Sequence, residues 1–372
     1  MNKADIHKIN LDTLFNPKSI AIVGANNQKG TVPYDIVNNI VKSKFTGTIY
    51  PVSPREKYID DLKTHKYVID IEDPIDLAIV VFPSPVCHLA LEQMGEKGIK
   101  SAIIISAGFK EIGEVGLERE LRIKEIADNY GISFIGPNCL GAINTDPNIK
   151  LNASFAREMP SAGNIGFLSQ SGALCTAVLD YAQSKNIGIS KFISFGNKAD
   201  VSEIDLLYYL ADDINTKVIL MYLEEINNGR DLMKCASDII SRTGKPILAI
   251  KSGRTDAGAS AAASHTGSLA GSDKICDAAF RQAGIIRCND IREMFDKAIA
   301  FAYQPIPKNN RVAIVTNAGG PGVLTTDAVI NDKNKMAVFS DVTKKKLKRA
   351  LPRTANINNP VDVIGDARAD RY

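Results

Sequence analysis

The sequence predicts an α/β protein built on parallel sheets, and three observations carry that prediction. Short apolar, β-branched runs recur, as at Ser19–Gly24, Leu77–Phe82 and Val218–Leu223. Stretches of helical period separate them, as at Val86–Lys97 and Gly229–Arg242. Gly, Ser and Pro cluster where the runs stop and the helices begin. Strands covered on both faces read as continuous apolar runs, and each parallel neighbour needs a crossover helix.

The first run, Ser19 to Gly24, leads through Ala25–Gly30 into a helical pattern at Ile36, Val37, Ile40 and Val41. Further strands are expected at Gly47–Val52, Leu77–Phe82, Ser101–Ser106 and Ser133–Ile135, with helices over Val86–Lys97 and Leu117–Tyr130 between the later ones. This is a doubly wound, Rossmann-like domain over residues 1–143, and such sheets bind ligands at the carboxyl ends of their strands. The dinucleotide fingerprint G-x-G-x-x-G is not met. The turn reads Gly24-Ala25-Asn26-Asn27-Gln28-Lys29-Gly30, without the middle glycine. The second strand ends in Pro51-Val52-Ser53-Pro54, where an acid would hold a ribose. Lys29-Gly30-Thr31 reverses the Gly-Lys order of a P-loop. What remains is a glycine turn with a lysine at a helix N-terminus, and two proline-bearing strand ends, the second at Phe82-Pro83-Ser84-Pro85. That suits a nucleotide whose phosphates lie outside the sheet; a purely structural βα turn is the competing reading.

Gly136-Pro137-Asn138-Cys139-Leu140-Gly141 closes this domain as a turn, and the polar stretch Asn144–Gly163 is expected to be an irregular connection. A second α/β domain, residues 144–303, starts with the strand Ile165–Ser169. It runs through Gln170-Ser171-Gly172 into a helix from Ala173 to Tyr181. Ser and Gly at a helix N-terminus present free N–H groups to an anion, so Ser171 and Gly172 are candidate phosphate ligands; the alternative is an ordinary serine cap. Phe195-Gly196-Asn197-Lys198 opens a further turn before a helix at Glu203–Leu210, and adds Gly196 and Asn197 at the same sheet edge as further candidate phosphate ligands. The strand Val218–Leu223 ends in Glu224-Glu225. A carboxylate there is placed to orient an imidazole, although a surface loop is the commoner fate of Glu.

The imidazole is His265. After the helix Gly229–Arg242 and the strand Pro246–Lys251, the segment Ser252–Ser272 is almost wholly Gly, Ala and Ser, with Leu269 its one bulky apolar residue. Such a stretch cannot fill a core, and it leaves Ser264-His265-Thr266-Gly267-Ser268 displaying one large functional group. A presented imidazole suits group transfer, because its ring nitrogen is a good nucleophile near neutral pH. On this stretch alone, a helix cap or a solvated linker explains His265 equally well. Helices at Asp273–Ala283 and Ile291–Tyr303 complete the domain. Gln304–Asn310 reads as a linker. Arg311–Thr316 and the turn Asn317–Gly322 then start a third domain, residues 304–372, which is expected to be incomplete.

The 372 residues are 45% hydrophobic and 23% charged with a net charge of +3, which gives no drive toward nucleic acid or a membrane surface. No apolar run reaches a membrane span and the polar N-terminus lacks a secretory core, so a cytoplasmic protein is expected. The six cysteines form no C-x-x-C pair and no metal-ligand pattern with His, so reduced thiols and no metal site are expected.

Seven motifs, in order, carry a family resemblance: I-A-I-V-G-A at 20–25, G-P-N-C-L-G at 136–141, S-Q-S-G at 169–172, F-G-N-K-A-D at 195–200, S-H-T-G-S-L-A-G at 264–271, V-A-I-V-T-N-A-G-G-P-G at 312–322 and N-P-V-D at 359–362. From Leu14 onward the chain resembles the α subunit of the ADP-forming (NDP-forming) acyl-CoA synthetases, of which acetate–CoA ligase is typical. The succinyl-CoA synthetase α subunit is the more distant relative. The resemblance implies a Rossmann-like CoA-binding domain followed by flavodoxin-like ligase domains. It implies CoA at Gly24, Asn26, Lys29, Gly30, Val52, Pro54, Pro83 and Ser106, with Asn138 nearby, and a phosphohistidine at His265. It implies phosphate at Ser171 and Gly172, and a glutamate orienting the imidazole, Glu224 with Glu225 as the alternative. Acyl-CoA, ADP and phosphate would yield carboxylic acid, CoA and ATP through an acyl phosphate. ADP/ATP and Mg would be handled by an ATP-grasp β subunit or domain, giving a hetero-oligomer. The two rival expectations are a non-catalytic CoA-binding protein of the same fold and an NAD-dependent oxidoreductase.

Overall fold

The computed structural model describes residues 10–255, 257–258, 260 and 272–372. They fall into two compact units that divide after Gln304. The first unit holds two large sheets and a separate two-stranded hairpin. In chain order the first sheet's elements are β1 (Ser19–Val23), α1 (Val32–Lys42), β2 (Thr48–Val52), the small hairpin β3 (Tyr58–Ile59) and β4 (Leu62–Lys63), β5 (Leu77–Val80), α2 (Cys87–Lys97), β6 (Ser101–Ile104), α3 (Glu114–Tyr130) and β7 (Ser133–Ile135). The main strands run in the order β2-β1-β5-β6-β7, each pair parallel. Side chains alternate across a strand, and here both sets are apolar. Ala21, Val23, Ala78, Val80, Ala102 and Ile104 join one core, whereas Ile20, Ile22, Leu77, Ile79 and Ile103 join another. That is why these strands read as unbroken apolar runs.

The second sheet uses β8 (Gly141–Asn144), β9 (Leu151–Ser154), β10 (Ala162–Ser169), α4 (Gly172–Ser184), β11 (Ile189–Ser194), α5 (Glu203–Asp212), β12 (Val218–Leu223), α6 (Gly229–Thr243), β13 (Ile247–Lys251), α7 (Asp273–Ala283), β14 (Ile286–Arg287) and α8 (Ile291–Tyr303). Its order is β14-β13-β12-β10-β11-β8-β9. The five strands from β14 to β11 are parallel, and β8 and β9 add on antiparallel. The segment 144–163, expected to be irregular, therefore contains β9 and the start of β10. Its polar residues misread as loop because they are buried: Asn152 and Ser154 bond to each other at 2.6 Å, and Asn39 of α1 donates to Ser154 O at 2.8 Å and Ala156 O at 2.6 Å. One apolar cluster runs through both sheets, from Ile20 and Ile40 to Ile193, Ile219 and Met221.

The second unit, residues 305–372, contains β15 (Arg311–Val312), β16 (Val315–Thr316), α9 (Gly319–Asn331), β17 (Lys335–Met336), α10 (Asp341–Ala350) and β18 (Val361–Asp362). The run expected as one strand over Arg311–Thr316 is split, β15 pairing with β17 and β16 with β18. Asn359, of the N-P-V-D motif, brackets the break. Its Oδ1 accepts from Ile314 N at 2.9 Å and its Nδ2 donates to Val312 O at 2.8 Å and Ala337 O at 3.0 Å.

Candidate functional site

The turn after β1 is built by a glycine that has no substitute. Gly24 has φ +100, and a Cβ on it would lie 2.8 Å from the Phe82 ring. Its N–H and that of Ala25 both donate to Val52 O, at 3.0 and 3.2 Å, which ties the turn to the end of β2. Asn26 is spent inside the turn, its Oδ1 accepting from Gln28 N at 3.0 Å and Thr31 Oγ at 2.9 Å. Lys29 and Pro54 are exposed, and Gly30 has φ +80 with open space around it.

The carboxyl ends of β5 and β6 face the carboxyl end of β10 across a cleft of about 670 Å³. Pro83, Ser106 and Asn138 line it from the first sheet's side, and Gln170, Ser171 and Gly172 from the second's. Ser106 Oγ donates to Phe82 O, and Asn138 N donates to Ser106 O at 2.9 Å, so the two strand ends are stitched together at the cleft wall. Ser171 caps α4 by accepting from Leu174 N at 3.4 Å. The first N–H groups of α4 thus point toward the cleft with the positive end of the helix dipole. Gly24, Asn26, Lys29, Gly30, Val52 and Pro54 belong to the β1–β2 side and are not among the lining residues.

A polar pocket of about 40 Å³ lies beside the cleft and shares Asn138 and Gln170 with it; Gly196, Asn197, Glu224, Glu225, Lys110 and Glu111 complete its lining. Gly196 has φ +52, and a Cβ there would meet Pro137 O at 2.3 Å, so this loop lies directly on the 136–141 turn. Asn197 Nδ2 donates to Glu111 Oε2 at 2.7 Å and to Glu120 Oε2 at 2.8 Å. Burial pushes the Glu120 carboxyl above its usual range against that hydrogen bond. Burial pushes Glu111 the same way, but the bonds from Asn197 and from the Gly108 and Phe109 N–H groups prevail and hold it low. Lys110 Nζ pairs with Glu225 Oε1 at 3.2 Å, and Lys198 Nζ binds both Glu203 oxygens and Glu225 O, each at 3.1 Å. Glu225 is buried, whereas Glu224 is half-buried.

Beyond the acids lies a third space of about 230 Å³, lined by Glu224 and Glu225, by Leu232 and Met233 of α6, and by Phe280 of α7. Lys251 and Ser272 line it too. Burial lowers the Lys251 ammonium from its ordinary range. His265 lies outside the described residues, but the last strand residue before its segment and the first described residue after it both border the pocket that holds Glu224 and Glu225. Among the described residues no group of His, Cys, Asp and Glu could hold a metal ion. No helix among them is long and apolar enough to cross a membrane.

Of the residues singled out from sequence, the structure brings Pro83, Ser106, Asn138, Ser171 and Gly172 to one cleft, and Gly196, Asn197, Glu224 and Glu225 to the pocket beside it. Sequence reasoning gave no role to Lys110, Glu111, Glu120 or Gln170. For the first three no local signal exists, since their partners lie 77–115 residues away. Gln170 does carry a signal, since it stands inside the S-Q-S-G motif between the two serines.

Residues 18–145 match the family model described as a CoA binding domain, and residues 162–301 match the succinyl-CoA ligase like flavodoxin domain. The chain is 49% identical over 351 residues to an acetate–CoA ligase [ADP-forming] of Methanocaldococcus jannaschii, covering 94% of this chain and 49% of that protein. It is 45% identical over 362 residues to the acetate–CoA ligase [ADP-forming] II subunit alpha of Pyrococcus furiosus, covering 97% of this chain and 78% of that one. A solved structure of the dinucleotide forming acetyl-coenzyme A synthetase 1 of Ca. Korarchaeum cryptofilum, in complex with phosphate and ADP, matches with a TM-score of 0.90 at 39% identity, over 96% of this chain and 76% of that one. The class is thus a CoA binding domain joined to a succinyl-CoA ligase like flavodoxin domain. Within that class, the chain belongs to the ADP-forming acetate–CoA ligase family. It spans about half the length of the Methanocaldococcus relative.

Proposed function

We propose that this chain is the CoA-binding, phosphoryl-carrying part of an NDP-forming acyl-CoA synthetase. With an ATP-grasp subunit or domain it converts acyl-CoA, ADP and phosphate to a carboxylic acid, CoA and ATP. The observation that carries the reading is the shared cleft, in which the strand ends of the first sheet face the N-terminus of α4. In this reading residues 1–143 hold CoA, 144–303 form the ligase domain and 304–372 begin a second one. Gly24, Asn26, Lys29, Gly30, Val52, Pro54, Pro83 and Ser106 take the CoA, whose thioester end reaches Asn138 and the α4 N-terminus. Gly24 lets the turn pass against Phe82 at φ +100, which sets the course of the Ala25–Gly30 loop that meets the nucleotide.

Phosphate is held at Ser171 and Gly172. Its oxygen attacks the thioester carbonyl carbon, the C–S bond breaks, and CoA leaves as thiolate. A ring nitrogen of His265 then attacks phosphorus, the P–O bond to the acyl group breaks, and the carboxylate departs. Phosphoryl transfer needs alignment and fixed donors more than covalent help, which is what a helix N-terminus provides. Glu224 orients the imidazole. ADP and Mg belong to the partner, and the Pyrococcus relative's name, subunit alpha, is in keeping with a separate one. The acid is a small carboxylic acid; acetate is the one those relatives' names print.

Two measurements on the isolated chain test this. Calorimetric titration should give saturable heat with CoA and none with NAD. Incubation with acetyl phosphate should place an acid-labile phosphoryl group on His265, and His265→Ala should abolish it without altering CoA binding. NAD binding without CoA binding would refute the assignment of the first sheet. Undiminished labelling of His265→Ala would refute the carrier.

A further inference from the structure

Gln170 lies between the last residue of β10 and the N-cap of α4, and it is 8% exposed. The backbone N–H groups of Glu224 and Glu225 converge on one terminal atom of its side chain, at 2.5 and 3.0 Å. Two donors can share only an acceptor, so that atom is the oxygen and the direction of the amide is settled. The other terminal atom is therefore the NH2 group, a double donor. It makes no hydrogen bond to any described residue. Gln170 Nε2 is not among the buried atoms that lack a partner, so the donor keeps open surface on which to meet a ligand. This one borders both the cleft, beside Ser171 and Gly172, and the pocket, beside Asn197 and Glu224.

Two independent features thus point into one place: the N-terminus of a 13-residue helix and an oriented, unused amide donor. We propose that Gln170 is a further ligand of the reacting phosphate, its Nε2 donating to a phosphate oxygen seated at the α4 N-terminus. The inference rests on the phosphate reading above and adds a residue to it. A neutral donor fits this position. A lysine or arginine here would be drawn into ion pairs with Glu224 and Glu225, whereas an amide keeps its direction. The two N–H groups that bind Oε1 hold the donor in place before phosphate arrives, so little reorganisation is left for the reaction. The same bracket couples the phosphate donor to the Glu224 backbone. A shift of one displaces the other.

The test is a titration of the full chain with inorganic phosphate, followed by 31P line width, for the parent, Gln170→Glu and Gln170→Met. Gln170→Glu keeps an oxygen for the two N–H groups and puts negative charge where the donor was. Gln170→Met keeps the length and removes both functions. Each variant is melted alongside, and the one that keeps a cooperative transition decides. Phosphate affinity should fall about tenfold or more, the loss expected when a charge-assisted hydrogen bond is removed. A folded variant that binds phosphate as tightly as the parent overturns the inference and leaves Gln170 as a bracket only. A parent that binds no phosphate overturns the α4 reading and this one with it. A parent that binds, with variants that match it, leaves that reading standing and removes only Gln170.

Discussion

Glu224 and Glu225 are neighbours in sequence with different surroundings, and the difference divides their roles. Glu225 is buried, paired with Lys110 at 3.2 Å and approached by Asn227 Nδ2 at 3.4 Å. Glu224 is half-buried and borders both the polar pocket beside the cleft and the space lined by Lys251 and Ser272. If Glu224 orients the imidazole, Glu224→Gln should slow phosphoryl transfer from acetyl phosphate to the chain by about 10²-fold or more, with melting unchanged. Glu225→Gln should lower stability by roughly 1–3 kcal/mol, because Lys110 loses its charged partner, and should slow transfer far less. Equal slowing by both, with equal melting, would contradict the division. The sequence made the pair visible, since a strand running into two acids marks a sheet's working edge. It could not rank them, because what ranks them is Lys110, which arrives from 115 residues away.

At the scale of elements, the segment after β6, the start of α3 and the 195–198 loop are joined by Asn197. Its single NH2 group serves Glu111 and Glu120 at once. The two carboxylates respond to pH in opposite senses. Glu111 is held low, so its contribution is present above the unfolded carboxylate range and is lost as pH falls through its folded value. Glu120 is held high, so its contribution is present below that range and is lost as pH rises through its folded value. Removing the donor with Asn197→Leu pushes both upward. The variant should lose roughly 2–4 kcal/mol at neutral pH, and less as pH falls through the raised range of Glu120 and that carboxyl takes up its proton. A stability difference that does not vary with pH would show that the Asn197 bonds do not govern these carboxylates. Long apolar runs were legible elements. β8 and β9 were not, because Asn144, Asn152 and Ser154 are polar residues satisfied in the interior, and polarity in a four-residue strand reads as loop. The split of Arg311–Thr316 was equally hidden, since it depends on Asn359 reaching back to the break.

For the first unit as a whole, the question is whether its two sheets unfold together. The helical stretch 10–15 argues that they do. At one end Asn10 Nδ2 donates to Gly131 O at 3.1 Å and Ser133 Oγ at 2.9 Å, and Asn10 O accepts from Ser101 Oγ at 2.7 Å, all at the amino ends of β6 and β7. At the other end the fully buried Phe15 stacks on Tyr209 of α5, ring centroids 4.6 Å apart, and Phe15 O accepts from Asn144 Nδ2 of β8 at 2.8 Å. The helix therefore fastens the first sheet to the second, and the apolar cluster beneath it contains residues of both. Truncating a buried Phe costs about 3–5 kcal/mol, because the cavity it leaves is only partly refilled. In Phe15→Ala that cost should fall on both sheets equally. Amide exchange by the global route should quicken by the same factor in β5 and in β12, while calorimetry shows one transition for this unit moved to lower temperature. Quickening confined to β12 would mean that the sheets open independently, each with its own stability.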